Sequence, residues 1–354
     1  MVHRRFDHMG KKSEKIFGNE MSGRVVKKAE NSRDRFVKRF GDDSDVDYPL
    51  AVVRNPYIGD SLGVSNITIG DDGDEEFDRD KGIIVGNIRM GFGHYRISMA
   101  IASAANYLGY KPYWMDLNSY SETTGGKVIE AQNKLYSLGY NASDQMNAEL
   151  MAPVFGNVPH DIPLVATHVW PAQAAIHAGM KYVVNAVPDN WPMALHLAEG
   201  SLHTVQTRSA YLGYRTLNGM QGDKVLLPMP GDSIRYTGHY IDHELVAAIE
   251  EDCKRRIDRR KTGAPMRFLL TIGGAGAQKE IFAAIIKTAL ASVKKHRMVL
   301  YVNVGDYMNV WEDLEKEIPA MKSLVTTHFD NWQDTTEFAA DVLTNEVYGI
   351  HAFC

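Results

Sequence analysis

Twice along the chain a short apolar run leads into glycines and then into apolar residues at helical spacing. The first occurrence is the run Gly-Ile-Ile-Val-Gly at 82–86, a glycine-punctuated turn at 87–93 and a helix over 94–108. The second is a run at 267–272, a turn at 273–276 and a helix over 279–294. Parallel strands need a crossover long enough to hold a helix, so this order specifies parallel-sheet α/β units. Further apolar runs at 113–117, 163–167, 182–187, 202–207 and 224–227 extend the first unit. Runs at 298–304, near Leu324 and at 341–344 extend the second. Residues 231–238 read as a loop, and 242–260 as a charged amphipathic helix that connects the two. The expected fold class is therefore α/β, with two Rossmann-like domains whose ligands sit beyond the carboxyl ends of the strands. The expected boundaries are an extension over 1–80, a first domain over 81–238, a linker helix over 239–265 and a second domain over 266–354. Only 89 residues follow Pro265, so the second domain is expected to be partial.

Charge sets the extension apart. Residues 1–40 carry 12 Lys and Arg against 5 Asp and Glu, and residues 41–80 carry 2 against 12, in a chain of net charge −5. Opposite charge blocks read as a solvated or self-paired segment. The alternative is that Arg4, Arg5, Lys11, Lys12, Lys15, Lys27 and Lys28 meet an anionic membrane surface; no nucleic-acid partner is expected. Cys253 and Cys354 are the only cysteines, which excludes a disulfide framework and any C-x-x-C site. With no signal peptide and no apolar run of membrane-spanning length, the expectation is a cytoplasmic protein, soluble or peripheral to a membrane.

Neither glycine turn fits a nucleotide fingerprint. In Gly86-Asn-Ile-Arg-Met-Gly91-Phe-Gly93-His94, the last glycine of G-x-G-x-x-G is replaced by Arg96; in Gly273-Gly274-Ala275-Gly276-Ala277-Gln278, it is replaced by Lys279. Gly125-Gly126-Lys127 is followed by Val128, where a P-loop needs Ser or Thr. A dehydrogenase and a P-loop ATPase are thus disfavoured, leaving loops whose backbone N–H groups can cradle a diphosphate. Two strand ends carry polar and aromatic residues, Thr167-His168-Val169-Trp170-Pro171 and Val187-Pro188-Asp189-Asn190-Trp191-Pro192. Ring faces and carboxylates at strand ends suit sugar binding. The same residues also serve as core plugs and helix caps in ordinary domains. His239 and His243 have a metal-compatible i, i+4 spacing but lack the Glu of a zinc protease, and read as a solvated helix start. The acidic pairs at Asp43/Asp45 and Asp72/Asp74 read as plain surface charge.

Taken in order, these segments resemble the GT-B glycosyltransferases, in particular the group containing monogalactosyldiacylglycerol synthase and the N-acetylglucosaminyltransferase that makes lipid II. Gly91-Phe-Gly93-His94 looks like the family's glycine-His loop, Thr167-His168 its central strand end and Val187-Pro188-Asp189 its strand ending in Asp. Val205-Gln206-Thr207-Arg208-Ser209 resembles the segment where its chain returns, Leu227-Pro228-Met229-Pro230 the step before its linker, and the loop 273–278 the one opening its donor domain. The resemblance runs from about Lys81 to the chain end. It implies an acceptor-type first domain, a donor-type second domain and inverting transfer from a nucleotide-diphosphate sugar to a lipid or glycan acceptor, without a bound metal or other cofactor.

By the same resemblance His94 is the first candidate base and Asp189 the second. Gly91, Gly93, His168, Trp170 and Trp191 would meet the acceptor, and Gly273, Gly274, Gly276 and Gln278 the donor diphosphate. Met90 and Phe92 depart from the family's loop. The family's later donor-domain segment, with its ribose-gripping carboxylate, has no counterpart before Cys354, so the expectation is either a fragment, inactive as given, or a chain that has lost donor binding. The alternatives are a nucleotide-sugar epimerase on the same fold and a non-catalytic protein of this type that binds a sugar or a partner.

Overall fold

The computed structural model of the chain describes residues 14–89, 92–136, 147–272 and 278–354. In chain order its strands are β1 (Lys15–Ile16), β2 (Asn19–Glu20), β3 (Leu50–Arg54), β4 (Ser65–Ile69), β5 (Gly82–Asn87), β6 (Lys111–Asp116) and β7 (Leu164–Ala166). They continue as β8 (Val183–Ala186), β9 (Leu202–Val205), β10 (Met220–Asp223), β11 (Ile234–Tyr236), β12 (Met266–Thr271), β13 (Met298–Asn303), β14 (Val325–His328) and β15 (Gly349–Phe353). The chain divides into two compact units after Val246.

The first unit is built on an eight-stranded sheet of order β11-β9-β8-β7-β5-β6-β4-β3. Every pair is parallel except β3 with β4. The central strands are buried on both faces, which is why they read as unbroken apolar runs. Ile84, Tyr113 and Met115 face a core shared with the helices Thr124–Tyr136 and Val169–His177, while Val85 and Trp114 face one shared with the helix Phe92–Tyr107. Gly86 is required here, because a Cβ at that position would stand 2.9 Å from Cβ of Pro171 in the helix packed over it. The sheet order reverses direction between β5 and β7: β6 and β4 lie to one side, β8, β9 and β11 to the other. In open α/β sheets that switch point opens the crevice where ligands bind.

Much of the segment expected to be a charged extension belongs to this unit. β3 and β4 close one edge of the sheet, and the helix Gly23–Phe40 lays Phe36, Val37 and Phe40 on the main core. Acidic residues there have structural partners. Asp43 accepts hydrogen bonds from Thr124 N (2.5 Å), Thr124 Oγ1 (2.9 Å) and Tyr48 Oη (2.7 Å), and Asp74 from Arg54 N (2.9 Å). The Asp43 carboxyl is held below its usual range, the cost of burial being outweighed by those bonds. Five-residue strands amid dense acid are hidden when charge is averaged over forty positions. Two local expectations also shift. The run at 224–227 is not a strand; β11 forms instead within the stretch read as a loop. The connector helix is two helices, His243–Ala247 and Ile249–Lys261.

The second unit is a four-stranded parallel sheet of order β12-β13-β15-β14, with the helices Lys279–Lys294 and Met308–Glu317 packed in its core. Residues 341–344, expected as a strand, end the helix Trp332–Thr344, and the apolar stretch after Tyr348 forms β15. Ile350 and Ala352 of β15 are fully buried, so that strand, not 341–344, completes the core. Among the described residues, no helix is long and apolar enough to cross a membrane.

Candidate functional site

β5 and β7 end side by side at the switch point, and each leads into a helix: Phe92–Tyr107 after β5 and Val169–His177 after β7. His94 lies in the first turn of the former. Its Nδ1 is 2.8 Å from the carbonyl oxygen of Thr167. A carbonyl only accepts, so Nδ1 carries the hydrogen, and in the neutral ring Nε2 is left with a free lone pair. Burial lowers the affinity of His94 for a second proton, against opposing pulls from the Thr167 carbonyl and the Asp189 charge. The result is a neutral imidazole with a basic nitrogen.

His168 caps the second helix, its Nδ1 accepting from the backbone N–H of Trp170 (3.1 Å). The same logic fixes the opposite tautomer: Nε2 of His168 carries the hydrogen and is a donor. Burial, with the neighbouring His94 and His196, pushes its protonation far below the usual imidazole range. The two rings meet edge to face with centroids 4.8 Å apart. A lone pair and an N–H thus stand at adjacent positions on the switch point. Ser98 reinforces the arrangement, its Oγ bonding the His94 carbonyl (3.0 Å) and Thr167 Oγ1 (2.9 Å).

Beyond β8 the chain turns through Asp189 and back. Asp189 Oδ2 is 3.2 Å from Nε2 of His196, a residue only 4% exposed. The other ring nitrogen, Nδ1, is 2.6 Å from Tyr214 Oη on the helix Arg208–Thr216, and Asn185 Nδ2 donates to the His196 carbonyl (2.7 Å). The bond from His196 holds Asp189 below its usual carboxylate range despite partial burial. On the opposite side of the switch point β6 ends in Asp116, which accepts from Tyr95 Oη (2.7 Å) and Asn118 N (3.0 Å). There burial wins and the carboxyl is raised. Asn87, at the end of β5, is fully buried, and among the described residues neither polar atom of its side chain has a hydrogen-bond partner.

The expected residues fare differently. His94, His168 and Asp189 gather at one sheet edge, each feeling the charge of its neighbours. Trp191 is 78% exposed beside Asp189 and free to stack on a ligand. Trp170 is 2% exposed within the main core, since the close approach of its helix to Gly86 carries it inward; it is a core residue and not an acceptor contact. Gly93 is exposed with open space around it, whereas Gly91 lies outside the described residues. Gly273, Gly274 and Gly276 also lie outside them. Gln278 is exposed, with φ 70°, ahead of the helix Lys279–Lys294 in the second unit.

The i, i+4 histidines are engaged elsewhere: His239 with Gln206 Oε1 (3.2 Å), and His243 stacked on Tyr107 beside an Arg96–Asp242 ion pair. Among the described residues, no group of three or more His, Cys, Asp or Glu side chains is placed to hold a metal ion. His196, Tyr214, Asp116 and Asn87 are the site residues that sequence reasoning did not single out. Only Asn87 and Asp116 had a signal, as the polar last residues of apolar strands.

A family model described as a domain of unknown function (DUF6937) matches residues 15–139 and 137–216. A second, also a domain of unknown function (DUF6938), matches residues 229–354. No curated protein and no solved structure gives a match.

Proposed function

The chain belongs to the DUF6937 family, and from the site that those residues build we propose that it is a GT-B-type glycosyltransferase, moving a sugar from a nucleotide-diphosphate donor to a lipid or glycan hydroxyl. The observation that carries this reading is the Thr167 carbonyl on His94 Nδ1, which leaves Nε2 as an unprotonated base at the switch point. A transfer to a hydroxyl needs such a group. In this reading His94 Nε2 takes the hydroxyl proton as the acceptor oxygen attacks the anomeric carbon. The bond from that carbon to the diphosphate breaks on the opposite face, the nucleoside diphosphate leaves with the electron pair, and the anomeric centre inverts. His168 Nε2–H is a donor beside the base, suited to holding the same oxygen. Trp191 offers a ring face to a sugar or lipid-headgroup acceptor. Asp189 is occupied by His196 and acts through its charge, which favours a proton on His94.

For location, the helix Gly23–Phe40 supports a peripheral contact with anionic lipid. Arg24, Lys27, Arg35 and Lys38 are exposed along it while Phe36, Val37 and Phe40 are turned to the core. The deciding experiment offers the purified chain a panel of nucleotide-diphosphate sugars with glycolipid and glycan acceptors and measures nucleoside diphosphate release. The reading expects release that requires both substrates and falls about 100-fold or more in His94→Ala. Release unaffected by His94→Ala, or no donor binding at millimolar concentration, refutes it.

A further inference from the structure

The buried pair behind Asp189 has two complete hydrogen-bond arrangements that differ by one proton. Tyr214 Oη stands 2.6 Å from His196 Nδ1 and 3.3 Å from the carbonyl oxygen of Trp191. With His196 neutral and its Nε2–H turned to Asp189, Nδ1 accepts the tyrosine hydrogen. With His196 protonated, Nδ1–H donates to the tyrosine oxygen, and the tyrosine hydrogen is released to the Trp191 carbonyl. The second arrangement adds a bond to the turn over residues 188–192 and makes the Asp189–His196 contact an ion pair. Both changes act on the turn that carries Asp189 and the exposed Trp191.

We propose that His196 and Tyr214 are positioning residues of the site, fastening the 188–192 turn more tightly when His196 holds a second proton. The consequence for acceptor handling rests on the transferase reading; the fastening does not. The groups facing this proton are Asp189 and Tyr214 in direct contact, and His94 and His168, whose charges also act there. Tyr240 acts on Tyr214 in turn, and the tyrosine itself is kept neutral by burial. Asp189 is the one carboxylate of this set, 3.2 Å from His196 Nε2.

Hydrogen–deuterium exchange of the full chain, read by mass spectrometry on peptides spanning residues 186–197, needs no substrate. After correction for the intrinsic pH dependence, the turn should exchange about two- to tenfold more slowly at pH 5.5 than at pH 7.5, the effect of one added net hydrogen bond. Peptides from β5 and β6 serve as controls for opening of the whole unit. The pH difference should vanish in His196→Gln, which cannot take the proton, and shrink in Tyr214→Phe, which keeps the ring but lacks the hydroxyl. If His196→Gln does not fold, Tyr214→Phe alone carries the comparison. Equal protection at both pH values in the parent chain, or an undiminished pH difference in Tyr214→Phe, overturns the proposal and leaves the role of His94 untouched. Loss of activity in His94→Ala tests the transferase reading in the same way without touching this one.

Discussion

Acidification should destabilise the first unit while carboxylates held low, such as Asp43 and Asp189, are still ionised, and His203 is the reason. Its ring is fully buried on β9 and held at both nitrogens: Nδ1 donates to the Ser233 carbonyl (3.1 Å) and Nε2 accepts from the Ala198 backbone N–H (3.0 Å). A second proton would have to sit on Nε2, facing another N–H across that bond. Burial accordingly lowers the His203 imidazole to about 4. The unfolded chain binds this proton near pH 6.5, so the folded state is favoured fully above that pH and loses stability as pH falls toward 4. Working the linkage through gives a loss of about 1 kcal/mol at pH 6, about 2 at pH 5 and about 3 once pH is below 4. His94 and His168, also lowered, act in the same direction. Carboxylates held low, such as Asp43 and Asp189, withdraw their contribution only as pH falls below the usual carboxylate range. The assay is urea unfolding at a series of pH values, followed by pulsed hydrogen exchange so that peptides from β8 and β9 report the first unit alone. The midpoint should fall steadily from pH 7 to pH 5. His203→Gln, less stable at pH 7 because it repacks the site, should show a flatter slope. A parent midpoint that does not move over this range, or a variant with the parent's slope, would refute the account.

Other outcomes follow from single contacts. Gly86→Ala should destabilise the first unit by about 1–3 kcal/mol in the same urea assay, because the new methyl meets Pro171 at 2.9 Å in a packed interior. Asp43→Ala should cost about 1 kcal/mol, through the lost bonds to Thr124 at the start of the helix Thr124–Tyr136; a smaller loss in Asp43→Asn than in Asp43→Ala would show that the bonds matter more than the charge. Binding to vesicles containing anionic lipid should weaken steeply as salt is raised and fall further when Arg24, Lys27, Arg35 and Lys38 are changed to Gln. Salt-independent binding would remove the electrostatic contact.

What could be read along the chain was whatever its neighbours in sequence determine. β5, β6 and β13 are short apolar runs bounded by polar or glycine residues, and each lies within a residue or two of where its pattern placed it. β3 and β4 are runs of the same kind, but set in a segment where 12 of 40 residues are acidic; the acids hid them although several are ligands to the fold and not free charge. β11 has three residues and takes its place only because β9 offers an open edge, a cause that lies 31 positions away. Val342 and Thr344 are strand-forming types, yet residues 341–344 end a helix, since the core position was taken by Ile350 and Ala352. In each case the missing information was a tertiary partner.

The site divides along the same line. A histidine at the start of a helix and an aspartate after a strand are visible as residue types at strand ends, and the sheet order then brings them to one crevice. What leaves a lone pair on His94 Nε2 and an N–H on His168 Nε2 is the identity of the atom facing each Nδ1, a carbonyl oxygen in one case and an amide hydrogen in the other. Both are backbone atoms, which every residue but proline supplies, so the side chains at 167 and 170 do not announce them. His196 shows the converse. Its partners, Asp189 and Tyr214, are informative residue types, but they come from a turn and a helix separated by 25 positions. Residue type can therefore nominate a site, while the protonation of that site is written by the fold, and replacing Thr167 would leave the His94 tautomer in place so long as its carbonyl stayed where the parallel pairing of β5 with β7 puts it.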